Sequence, residues 1–78
     1  MNTRLHLSFP SELVSRPVIY EVVQRYGVVP NIRRANVEAD TGWVILELSG
    51  EADSVRDAIA YFEENGVIVS RMEGDVIA

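Results

Sequence analysis

Trp43-Val44-Ile45-Leu46-Glu47-Leu48 is apolar at nearly every position. A strand that is apolar on both faces is typical of the middle of a sheet, covered on both sides. This stretch therefore demands neighbouring strands and a layer of helices. The residues before it, Asn31-Ile32-Arg33-Arg34-Ala35-Asn36-Val37-Glu38, supply the first neighbour. Asp40-Thr41-Gly42 lies between, so the pair reads as a central hairpin with Gly42 in its turn. In the second arm Val44, Leu46 and Leu48 face the helices, while Trp43 and Ile45 face away. In the first arm Ile32, Ala35 and Val37 break strict alternation, which predicts a bulge near Arg33-Arg34.

The flanking segments follow two periods. Arg4-Leu5-His6-Leu7-Ser8-Phe9 alternates strictly, the mark of a half-buried strand, and Pro10 ends it. After a polar link from Ser11 to Ser15, Val18, Ile19, Val22, Val23 and Tyr26 recur at helical spacing. Ser15 fits the N-cap and Pro17 the first turn. Glu21 and Arg25 are spaced as an i,i+4 pair, and Gly27 stands where a left-handed C-terminal residue is needed. A second helix opens at Glu51-Ala52-Asp53, carries the stripe Val55, Ala58, Ile59 and Phe62, and stops at Gly66. Val67 to Met72 is the last strand, and Gly74 to Ala78 is expected to be a short frayed tail.

The order is strand, helix, strand, strand, helix, strand. Right-handed crossovers put the first and third strands at the centre and both helices on one face. This is an α+β, ferredoxin-like sandwich with a four-stranded antiparallel sheet, a single domain over residues 1–78 with its core at about 3–72. The other face of the sheet is left bare. Trp43, Ile45, Ile68 and Met72 are expected there, beside Arg4, His6 and Ser8. So large an exposed apolar patch is unusual for a monomer and marks an interface.

Composition narrows the function. Among 78 residues there is no cysteine, which removes disulfides, thiolate metal sites and cysteine nucleophiles. All seven cations are arginine and the net charge is −5. No lysine means no Schiff base, and an acidic chain makes nucleic acid a poor partner. The N-terminus does not read as a signal peptide, and no apolar run is long enough to span a bilayer. A cytoplasmic protein with no direct membrane insertion is expected.

Few residues suggest chemistry. His6 could shuttle protons or bind a metal, yet no second ligand is evident and a polar strand residue explains it as well. Glu63 and Glu64 are helix neighbours whose side chains diverge. Gly42-Trp43-Val44-Ile45 loosely matches an RNA-recognition strand, but Thr41 and Ile45 stand where a basic and an aromatic residue are needed. Asn31, Arg33, Arg34 and Asn36 form a polar cluster. It could clamp a ligand carboxylate, or it could be a solvated bulge. Neither a catalytic set nor a metal or cofactor site is expected.

Asn31-Ile32-Arg33, the Leu7-Ser8-Phe9-Pro10 of the first strand, Pro17 and Glu47-Leu48-Ser49-Gly50 together resemble the NIL domain, the C-terminal regulatory module of methionine-importer ATPases. The resemblance covers nearly all of residues 3–72. It implies a ferredoxin-like domain that pairs with a second copy and binds methionine. It puts Asn31 at the ligand-contacting asparagine and Val37 at an apolar pocket-lining position. Arg33 replaces the leucine of the family triplet, which would reshape the pocket. A ligand set of Asn31, Arg33, Asn36 and Val37 follows. The leading expectation is a non-catalytic, homodimeric amino-acid sensor. The alternative is an interaction subunit that docks onto a larger protein through Trp43, Ile45, Ile68 and Met72 and binds no metabolite.

Overall fold

Residues 1–72 are described by a computed structural model. Strand β1 (Asn2–Phe9) leads through a 3-10 turn at Ser11–Leu13 to helix α1 (Val18–Tyr26). The hairpin β2 (Val29–Val37) and β3 (Gly42–Ser49) follows, then helix α2 (Ala52–Glu64) and strand β4 (Ile68–Arg71). The strands lie in the order β2-β3-β1-β4 and every pairing is antiparallel. This is the ferredoxin-like topology read from the element order.

Register decides which side chains share a face. Leu5 sits opposite Leu46, Leu7 opposite Val44 and Thr3 opposite Leu48. All six are buried under the helices. The intervening pairs, Arg4 with Glu47, His6 with Ile45 and Ser8 with Trp43, occupy the other face. The helices bring Val18, Val22, Val55, Ala58, Ile59 and Phe62 down onto the first face. Fully burying a Leu, Val or Phe side chain is worth about 1.5–3 kcal/mol each, so this layer supplies most of the favourable burial.

Gly27 ends α1 with φ +67°, and its N–H donates to the carbonyl of Val23. A Cβ there would meet nothing within 4 Å, so the backbone alone requires glycine. The bulge falls at Ile32–Arg34, where Arg33 and Arg34 together oppose Ile45. The stripe of α2 is buried as its spacing predicts.

Local details differ. Gly42 is not in the hairpin turn; it is the first residue of β3, buried and opposite both Val37 and Phe9. The turn is Glu38–Thr41, closed by the Glu38 N–H donating to the Thr41 carbonyl at 2.8 Å. Pro17, not Ser15, stands at the N-cap of α1, and the preceding 3-10 turn at Ser11–Leu13 buries Leu13. The Glu21–Arg25 pair gives way to a network between the helices. Arg16 donates two hydrogen bonds to Glu21, at 2.7 and 3.1 Å, and the Tyr61 hydroxyl donates a third at 2.6 Å. Arg25 instead lies over the Tyr61 ring, 4.9 Å from its centroid. Strand β4 starts at Ile68, one residue later than expected. The expected frayed tail at Gly74 to Ala78 lies outside the described residues.

Candidate interaction face of the sheet

The open face of the sheet is built from alternate residues of four strands. Trp43 and Ile45 project from β3, His6 and Arg4 from β1, and Ile68 from β4 opposite Ser8. Met72 follows β4, and its N–H donates to the carbonyl of Arg4 at 3.0 Å. The four apolar residues named from sequence therefore lie on the side of the sheet opposite the helices. Ile68 is 62% exposed; Trp43, Ile45 and Met72 are half-buried.

Two features order this face. The imidazole of His6 stacks on the Trp43 indole, with centroids 5.6 Å apart and planes 17° from parallel. One side of the indole is thereby occupied, and His6 acts as a packing residue. Glu47 is the charged hub. Arg4 donates to it at 2.5 Å, and Arg33 approaches within 4.0 Å from the neighbouring strand. The hydrogen bond from Arg4, reinforced by the nearby positive charge of Arg33, holds the Glu47 carboxyl below the usual carboxylate range. The sequence signal for this hub was available in principle: a lone acid in an apolar strand, facing cations on both sides.

The bulge controls where the polar cluster goes. Asn31 pairs with Glu47, Arg34 with Ile45 and Asn36 with Trp43, which places all three on the open face. Arg33 joins them through its approach to Glu47. In a regular strand Asn31 and Val37, six apart, would share a face. The extra residue at Arg33-Arg34 inverts the alternation, so Val37 pairs with Gly42 on the helix side. Asn31, Arg33 and Asn36 thus share the open face, and Val37 is turned to the other.

Val37 instead borders an apolar cleft of about 170 Å³ between the start of α1 and the tip of the hairpin. Phe9, Leu13, Pro17, Ile19 and Val44 line it, with Tyr20 and Val37 at its exposed edge. Arg16 is its one charged lining residue and is held by Glu21. Sequence reasoning missed this cleft, since the 3-10 turn that forms one wall has no strong periodic signal.

Among the described residues no group of three or more His, Asp or Glu side chains could hold a metal ion. None of the described helices is long and apolar enough to cross a membrane.

A helix-backed four-stranded antiparallel sheet with one bare face defines a small ferredoxin-like domain. Solved structures agree on the fold. The C-terminal domain of an ABC transporter ATP-binding protein from Enterococcus faecalis superimposes with a TM-score of 0.78 at 24% identity, covering 90% of this chain and 82% of that one. The designed protein Ferredog-Diesel matches with a TM-score of 0.57 at 15% identity, over 91% of this chain and 83% of its own. Residues 3–71 match the NIL domain, and the chain belongs to that family.

Curated relatives carry the same domain inside longer chains. The L-aspartate semialdehyde sulfurtransferase iron-sulfur subunit of Methanocaldococcus jannaschii is 32% identical over 68 residues, which is 87% of this chain and 52% of that protein. The methionine import ATP-binding protein MetN of Symbiobacterium thermophilum is 34% identical over 67 residues, 81% of this chain and 20% of that protein. MetN of Cupriavidus pinatubonensis is 31% identical over 71 residues, 86% of this chain and 21% of that protein. The chain therefore spans about half the length of the first relative and about a fifth of the importer proteins. At the level of the family it is a non-catalytic regulatory and interaction domain related to those of the MetN transporters.

Proposed function

We propose that this domain is a docking module that engages a larger protein through the open face of its sheet. The observation that carries the reading is the set Trp43, Ile45, Ile68 and Met72 on the face opposite the helices. Aromatic and large aliphatic groups framed by arginine have the composition of an interface core and its rim. The relatives support the same reading, since each holds this domain as one part of a larger protein.

The test uses a partner identified by crosslinking and then purified. Calorimetry should give binding by the wild-type chain and a loss of at least about tenfold for Trp43→Asp, because an unpaired charge in an apolar contact is strongly unfavourable. Ile68→Asp serves as the second variant, since an exposed edge residue leaves the fold intact. Equal affinity for both variants and wild type would refute the docking face.

A second reading has its own support. MetN relatives are by name methionine import proteins, and the cleft beside Val37 has the lining for an unbranched apolar side chain. Under this reading the domain is a homodimeric amino-acid sensor. One protomer holds Asn31 and Val37 on opposite faces of β2, so a second copy has to complete the ligand site. Methionine titrated by calorimetry should then release or absorb heat and raise the melting temperature. No heat and no shift for methionine or other amino acids would remove the reading.

A further inference from the structure

The cleft at the start of α1 joins an apolar volume to a positive rim. Phe9, Leu13 and Val44 wall its volume of about 170 Å³, and the exposed Tyr20 and Val37 stand at its mouth. An apolar cavity of about 150 Å³ accepts benzene, so this one has room for a chain of about six carbons. The rim has two parts. The first is the opening turn of α1, where Val18, Ile19 and Tyr20 all line the cleft. Pro17 holds the N-cap and makes no side-chain hydrogen bond to the helix. The Val18 N–H donates to the Arg16 carbonyl at 2.8 Å, and the Glu21 N–H reaches the Pro17 carbonyl at 3.0 Å. Between them the N–H groups of Ile19 and Tyr20 have no capping side chain, at the positive end of the helix.

The second part is Arg16. Its Nε and Nη2 donate to Glu21, and Nη2 also donates to the Tyr61 hydroxyl. That fixes the guanidinium beside the helix start and leaves its Nη1, with two N–H donors, outside the network. Arg25 lies over the Tyr61 ring, and its charge adds to the Arg16 and Tyr61 hydrogen bonds that lower the Glu21 carboxyl. Two guanidiniums thus serve one carboxylate, and among the described residues no acidic side chain lines the cleft.

We infer that this cleft is a binding site, within one protomer, for an apolar monocarboxylate of about six carbons that carries no α-ammonium. Its tail packs against Phe9, Leu13 and Val44, and its carboxylate takes the Nη1 side of Arg16 and the uncapped amides of Ile19 and Tyr20. An α-ammonium would stand at the positive end of a helix beside a guanidinium, with no lining acid to receive it. The net charge of −5 opposes any anion at long range, but salt screens exposed charges beyond about 8 Å, so the rim groups decide. The inference is independent of the docking face. It goes beyond the amino-acid reading, since the occupant needs no second copy.

Sodium hexanoate is the probe, titrated into the chain by calorimetry beside three analogues that each change one feature. Norleucine adds an α-ammonium to the same chain length, hexanamide removes the charge and acetate removes the tail. Hexanoate should bind saturably with a Kd below about 10 mM, and each analogue at least about tenfold more weakly. Val37→Asp sets a like charge at an exposed mouth position and should weaken hexanoate at least about tenfold. Arg16→Gln should weaken it by a similar factor, about tenfold. Arg56→Ala removes a cation that does not line the cleft and should leave the affinity within about twofold. No saturable heat from hexanoate, or equal affinity in wild type, Val37→Asp and Arg16→Gln, overturns the site. Norleucine or methionine binding as tightly as hexanoate overturns the ligand class and leaves the amino-acid reading standing. Hexanamide or acetate binding as tightly overturns the part assigned to the charge or to the tail. The docking reading stands or falls on its own variants, Trp43→Asp and Ile68→Asp, whichever way the cleft behaves.

Discussion

The two faces of this sheet are made by the same three long strands, yet they do different work. On the helix side of β1 and β3, Thr3, Leu5, Leu7, Val44, Leu46 and Leu48 are all buried. One residue along, on the open side, Arg4, His6, Trp43, Ile45 and Glu47 are half-buried. Alternation lets a single strand serve packing and contact at once. The helix side is specified by volume, since a close-packed layer tolerates little change in shape. The open side is specified by chemistry: a stacked indole and a carboxylate approached by two arginines. Substitutions on the two faces are therefore expected to separate stability from the proposed docking.

The largest expected effect tests the packed side. Phe62 is fully buried, and Phe62→Ala should lower unfolding free energy by about 3–5 kcal/mol in a denaturant titration. Ile68→Ala on the open face should change it by less than about 0.5 kcal/mol. If the two substitutions were equal, the division of labour between the faces would be broken.

An intermediate effect is expected at the stacked pair. His6→Ala removes the ring that covers one side of Trp43. It should cost about 0.5–1.5 kcal/mol and shift the emission of the single tryptophan toward that of a wetter indole. An unchanged spectrum would mean that His6 does not shield Trp43 in solution.

A smaller contrast comes from acid. The Glu21 carboxyl, on the helix side, is lowered from 4.5 to about 2, first by the Arg16 hydrogen bond and then by that from Tyr61. Its contribution is present in full above the unfolded value of 4.5 and is lost as pH falls through about 2. Glu47 is lowered as well, chiefly by Arg4, so its loss runs in the same direction. Melting temperature followed from pH 6 downward should show a flatter acid limb for both Glu21→Gln and Glu47→Gln. The flattening should be modest, because both pairs are solvent-accessible. The smallest change is expected at Arg56, whose pairing with Asp53 is exposed; Arg56→Ala should leave the melting curve within error.

The fold was legible because strong periods repeat along the chain. Leu5-Leu7-Phe9 and Val44-Leu46-Leu48 fix two central strands, and Val55-Ala58-Ile59-Phe62 fixes a helix face. What escaped were choices between local signals and distant partners. Ser15 is a good capping residue in isolation, but α1 starts later, with Pro17 at its N-cap and a 3-10 turn burying Leu13 ahead of it. Arg25 is well spaced from Glu21, but Arg16 and Tyr61 reach it from outside the helix. Gly42 reads as a turn residue until β1 is found beside it, pairing it with Phe9. The expected ligand set shows the same limit. The bulge at Arg33-Arg34 was visible in the pattern, while its consequence, the parting of Val37 from Asn31, depends on register that only the paired strands define.

If the open face is where a partner sits, Trp43, the only tryptophan of the chain, reports its arrival. Acrylamide quenching of its fluorescence, measured with and without a saturating tryptophan-free protein ligand, reads that face directly. The quenching constant should fall several-fold in the complex, as burial at an interface core excludes solvent. An unchanged constant at saturation would contradict the account, because the ligand would then be held elsewhere on the domain.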